Sequence, residues 1–164
     1  MPPSGPKYLP MSVIAAWRCL TSTSGFAWAS ALDAAAQAKP ETLVKQRQAA
    51  MTLIAKYFGP LGGMAQGRVP YNQQTVQRNA AILDVLKDTP WDGFHESTKG
   101  VKSAALPAVW EKQGEVKQAI DRFTGEVGKL AQVSTSGDEA AVKAQIGAVG
   151  KTCGGCHDNF REKK

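Results

Sequence analysis

The sequence predicts an all-α protein, an antiparallel four-helix bundle. Apolar residues recur at three- and four-residue steps in four separate segments, and no stretch shows the two-residue alternation of a half-buried strand. The segments are joined by turn-like sequence except for one long connection, and the third follows a heptad-like seam. Amphipathic helices of this kind bury their stripes against one another as a bundle, and side chains on facing helices build any cofactor site.

Residues 1–38 differ in character from the rest of the chain. Met1–Pro10 is rich in proline, Arg18 precedes the apolar stretch Gly25–Ala29, and Ala36-Gln37-Ala38 fits the small-residue rule for signal cleavage. Thr21–Ser24 interrupts the apolar part, and Met11 is an alternative start. The expectation is a secretory signal peptide or N-terminal extension over 1–38, followed by the bundle over 39–164. Cleavage there removes Cys19, and no small residues of a lipid-anchor motif precede that cysteine. No run approaches the ~18 apolar residues that a membrane helix needs.

The first helix opens at Pro40, a residue suited to the first turn, with Glu41 at the positive end of the helix dipole. Its inward stripe is Val44, Arg47, Met51, Ile54 and Phe58, and Gly59-Pro60 is expected to end it. Asn72 is a good N-cap for a second helix running to about Lys87, with Val76, Ala80, Leu83 and Leu86 inward. Thr89–Leu106 forms the long connection, and its aromatics Trp91 and Phe94 are expected to pack on the bundle. Pro107 opens a third helix along Val109, Val116, Ile120, Phe123, Val127 and Leu130, with Gln113 at the one polar step. Ser134–Gly137 ends it, and Asp138 caps the fourth helix.

The fourth helix carries Val142, Ile146, Val149, Cys153, Cys156 and Phe160 at steps of four, three, four, three and four. Both cysteines therefore continue the core stripe and point inward. Cys153-Gly154-Gly155-Cys156-His157 is the attachment pattern of c-type haem. Two thiols form thioethers to the vinyl groups of one porphyrin, His157 offers a nitrogen to the iron, and the two glycines leave room for a flat ring. A thiol–disulfide centre is less well supported, because such pairs usually follow a strand in a βαβ unit. Zinc needs four N or S ligands, and Cys153, Cys156 and His157 supply three. His95, the other histidine, reads as a solvated side chain in the long connection. Met51 is ambiguous: a thioether can ligate haem iron, and methionine also fills core gaps with no chemistry.

With 164 residues, 43% hydrophobic and 21% charged, the chain fits one ordinary domain. The net charge of +6 fits an acidic redox partner or a membrane surface. Its basic residues are scattered and no recognition motif accompanies them, which argues against nucleic acid.

The chain resembles cytochrome c′ and its relatives, the class II c-type cytochromes, from Lys39 to Lys164. The marks are KPETLVKQRQAAM, GRVPYN, TPWDGF, PAVW and CGGCHDNFREKK. The resemblance implies one haem c held by Cys153 and Cys156, with His157 as proximal ligand. It places Arg47 and Gln48 near the haem propionates, Thr98 and Lys99 at the haem edge (where the family often has an acid at the position of Lys99), and Arg161 near the proximal face. Met51 falls at the distal position, where high-spin members leave iron five-coordinate and low-spin members bind it through methionine; the PYN and PWDGF segments lean towards the high-spin branch. It further implies a periplasmic electron-transfer and gas-binding protein rather than an enzyme, taking NO and CO, working with a redox partner protein, and pairing as a homodimer through its first two helices.

Overall fold

The computed structural model describes residues 38–163; the signal-like segment and Cys19 lie outside them. Five helices occur in this stretch: α1 (Pro40–Ala65), α2 (Gln73–Leu86), α3 (Ala108–Glu111), α4 (Gln113–Val133) and α5 (Glu139–Phe160). The long helices α1, α2, α4 and α5 form the bundle, each packed against two others in the cyclic order α1–α2–α4–α5. Neighbours run antiparallel. Gln73 at the start of α2 donates to the Ser134 carbonyl at the end of α4, and Phe58 of α1 meets Gly150 of α5.

The two expected caps form. The Asn72 side chain accepts from the Thr75 amide, and the Asp138 side chain accepts from the Ala141 amide. Each satisfies a backbone donor that a helix start otherwise leaves without a partner.

Two boundaries differ from expectation. α1 does not stop at Phe58 but runs through Pro60 to Ala65. The proline removes one donor, and it does so on an exposed face, Gly59 and Pro60 both being exposed. The next turn buries Leu61, Gly63 and Met64, so packing holds the helix together past its break. Asn79, buried in α2, adds a bond from its amide to the Tyr57 carbonyl. The third helix is not continuous either. α3 ends at Glu111, and the next residue, Lys112, with φ −119° and ψ 48°, breaks the path before α4 begins. Beyond this break Val109 and Trp110 pack with Phe160 and with Val116 near the start of α4.

The core is accordingly double. The larger cluster runs through all four long helices and includes Leu61, Val76, Leu83, Val127, Leu130 and Ile146, with Cys153 packed against it. The smaller joins Val109, Trp110, Val116 and Phe160, with Cys156 packed against it.

The long connection is folded, as its aromatics led one to expect. Two 3₁₀ turns, Trp91–Phe94 and Glu96–Thr98, lie against α1. Trp91 meets Phe123 edge-on at 5.8 Å between ring centres and donates to the Lys87 carbonyl at 2.7 Å. His95 is exposed, and its Nδ1 accepts from the Ser97 amide. The tightest approach is at Gly93, where an added Cβ would sit 2.4 Å from the Arg47 Cβ and 2.9 Å from the Leu43 carbonyl oxygen. That contact lets Arg47 Nη1 reach the Gly93 carbonyl at 2.9 Å. The buried Thr98 hydroxyl donates towards the same carbonyl at 3.2 Å and the His95 carbonyl at 2.7 Å. Further on, Leu106 donates to the Phe160 carbonyl and Glu162 to the Ala104 carbonyl, which pins the chain just beyond α5 to the connection.

This clamp makes a stability prediction. Gly93→Ala should cost about 1–3 kcal/mol by overpacking, and Thr98→Val about 1 kcal/mol by removing a buried hydrogen bond whose acceptors keep their other donors. Urea unfolding midpoints check both, and unchanged midpoints would show that the connection is not clamped in solution.

Candidate functional site

A cavity of ≈ 530 Å³ lies between the two core clusters, walled by α1, the first 3₁₀ turn, α4 and α5. It is within the size range of small-ligand and cofactor sites. The phase of α5 brings Cys153, Cys156 and His157 together in its wall. α1 contributes Arg47, Gln48 and Met51 from the facing side of the same cavity, and Arg161 stands just past the end of α5. Most of the remaining wall is apolar, including Trp91, Phe94, Phe123 and Phe160. Thr98 and Lys99 lie outside this wall. Thr98 spends its hydroxyl on the loop carbonyls, and Lys99 is exposed near Glu96.

The local chemistry narrows what the site can hold. Both cysteines are free and half-buried. Burial pushes both thiols above their ordinary pKa, with Arg122 opposing this at Cys156. A redox-active dithiol needs the reverse, a thiolate stabilised by positive surroundings. Among the described residues, no group of three or more His, Cys, Asp or Glu is placed to hold a bare metal ion. The imidazole of His157 is held below its ordinary pKa, first by burial and then by Arg161, with Asp158 opposing. It is thus neutral at neutral pH and has a lone pair to give a metal.

Arg47 supplies the sharpest constraint. It is 6% exposed, and burial depresses its pKa. Its guanidinium lies 4.6 Å from the centre of the Phe94 ring and donates to the Gly93 carbonyl. No carboxylate among the described residues pairs with it; every ion pair there belongs to a lysine. A buried cation held only by a carbonyl and a ring face is costly unless a ligand brings the negative charge. A haem fits this set: vinyl groups for two adjacent thiols, iron for a neutral imidazole, an apolar macrocycle for aromatic walls, and an acidic edge for Arg47.

Periodicity in the sequence put Arg47, Met51, Ile54 and Phe58 of α1 and Cys153, Cys156 and Phe160 of α5 on inward stripes, and all of them line the wall; His157 came from the attachment motif, and Gln48 and Arg161 from the family resemblance. Periodicity did not identify Ile120 and Ala119 of α4, or Ala55 of α1, as site residues. Ile120 lay on the predicted seam, but a seam position does not say which part of a core gives way to a cavity.

Comparison with known proteins agrees with the site. The model of the family described as cytochrome C′ matches residues 42–161. Cytochrome c′ of Rubrivivax gelatinosus is 40% identical over 126 residues, covering 76% of this chain and 98% of that protein. Among solved structures, a ferrous variant of cytochrome c prime from Alcaligenes xylosoxidans with bound NO superposes with a TM-score of 0.71 at 34% identity, covering 78% of this chain and 99% of that one. A carbon monoxide-bound variant of the same protein gives a TM-score of 0.70 at 35% identity, covering 77% and 98%. With its four-helix bundle and its inward cysteine pair, this chain belongs to the cytochrome c′ family and binds haem c covalently.

Proposed function

We propose that the protein is a periplasmic haem carrier of electrons that also binds NO and CO at a five-coordinate iron. The observation that carries this reading is the single cavity that gathers Cys153, Cys156 and His157 from α5 with Met51 and Arg47 from α1. When bound, haem would supply an iron that cycles between Fe(II) and Fe(III) and can take a diatomic gas. Cys153 and Cys156 hold the ring by thioethers, and His157 supplies the proximal nitrogen. Arg47, fixed by Gly93 and Phe94, takes the propionate charge, with Gln48 beside it. Trp91, Phe94, Phe123 and Phe160 keep water from the ring. Met51, partly buried against the larger cluster, fills the distal side as an apolar wall. Arg161 is a cation available on the proximal side. Thr98 acts at one remove, through the carbonyl it shares with Arg47, and Lys99 is assigned no contact with the ring.

The gas-bound relatives support this reading over one in which Met51 is the sixth ligand. The ferrous holoprotein should show a broad high-spin spectrum that shifts on adding CO. A sharp α-band indifferent to CO would instead establish Met51 as a ligand. Met51→Ala should leave the ferric spectrum unchanged. Replacing both Cys153 and Cys156 by alanine should let acidified acetone extract the haem, whereas the native protein should keep it.

Residues 1–38 are assigned as an export leader, which fits maturation outside the cytoplasm. The described residues include no helix long and apolar enough to cross a membrane. The excess of basic over acidic residues beyond residue 38 fits docking to an acidic redox partner. Leu53 on α1 and Val85 on α2, 41% and 77% exposed, fit pairing of two copies through these helices. Sedimentation of the exported protein should give twice the protomer mass, and intact-mass measurement should find residues 1–38 missing. A monomeric mass, or a retained leader, would remove the corresponding assignment.

A further inference from the structure

A second cavity, a groove of ≈ 410 Å³ between α1 and α5, lies beside the haem cavity. One aromatic side chain lines both: Phe58. The groove opens to solvent along Gln66 and Lys151, which are exposed. The Phe58 ring therefore stands between water and the site.

The two residues bordering this ring from the groove side are glycines. A Cβ at Gly150 would lie 3.6 Å from the ring tip, and a Cβ at Gly62 would lie 3.8 Å from its edge. Both are ordinary contact distances, so neither glycine is demanded by close packing. Their effect is to leave open volume beside the ring where any longer side chain would hold it still. Phe58 is itself only partly buried, and Met51 lies two helical turns before it on the same side of α1, in the same cavity wall. The cavity has another mouth near Gln48 and Arg161, which is polar, and its Arg47 side suits the acidic edge of the haem.

We propose that Phe58 is the gate through which small neutral diatomics reach the distal side of the haem, and that Gly62 and Gly150 provide the space into which its ring swings. The proposal rests on the gas-binding reading above. Side-chain rotamer changes of partly exposed residues occur far faster than ligand turnover, so the ring limits passage without closing it. The same ring selects by polarity. An uncharged diatomic crosses an apolar plug at little cost, whereas an ion must shed its water to do so.

The experiment is flash photolysis of the CO-bound ferrous holoprotein, comparing the native chain with Phe58→Ala and Gly62→Leu. Removing the ring should raise the CO association rate at least about tenfold, at the low end of the span that single changes to one binding site produce. Gly62→Leu fills the groove from outside the haem cavity and should lower the rate. Gly62→Leu, outside the haem cavity, should keep the native ferric and ferrous spectra and reduction potential, which a distorted haem would not. If both bind CO at the native rate with native spectra, the gate is overturned and the gas-binding reading stands. A faster Phe58→Ala beside an unaltered Gly62→Leu would also overturn it, since Phe58 would then only crowd the iron. A native protein that takes up no CO would overturn the gas-binding reading, and the gate with it.

Discussion

Everything in the bundle answers to the helical phase of α5. Cys153 and Cys156, three residues apart, are on one face because a helix turns about 100° per residue, and His157 comes next with no freedom of its own. That face meets the seam between the two apolar clusters, Cys153 against the larger and Cys156 against the smaller. Pinning of the Phe160 carbonyl by Leu106, and of Glu162 by Ala104, then fixes how α5 is rotated and where it ends. The remaining elements supply walls for the space in front of the thiols.

Arg47 connects that space to the loop. Its stripe position put a cation in the core, an arrangement that a sequence tolerates only with a partner. The loop provides half of one, through the Gly93 carbonyl and the Phe94 ring, and Gly93 must lack a side chain for the approach to close. The other half is negative charge, and the described part of the chain does not bring it to this point. Burial raises the thiols and lowers the imidazole, and both shifts favour neutral groups poised for bond formation over a reactive thiolate pair.

Much of this was legible in the sequence because it is local. The inward stripes of α1, α2 and α5, the caps at Asn72 and Asp138, and the joint phase of the cysteines follow from spacing and side-chain chemistry alone. The misses share a cause. α1 survives Pro60 because Leu61 and Met64 are buried against other helices, and α3 separates from α4 at Lys112, where Trp110 packs with Phe160. In both cases tertiary packing overrode a local signal. The sharing of the Gly93 carbonyl by Arg47 and Thr98 joins residues 46 and 5 positions apart, and no periodicity encodes such a meeting.

The cavity's two long walls come from opposite ends of the bundle in chain order. Arg47 and Met51 belong to its first helix, Cys153 and His157 to its last. Contacts so distant in sequence form late in folding, after the cost of closing a long loop has been met. Until α5 packs against it, the α1 half of the site therefore waits, its Arg47 and apolar stripe without their partners. The thiols are most accessible in that same interval, before α1 closes over them. The order of the chain thus gives haem attachment a window in time, and closing of the bundle around the ring ends it.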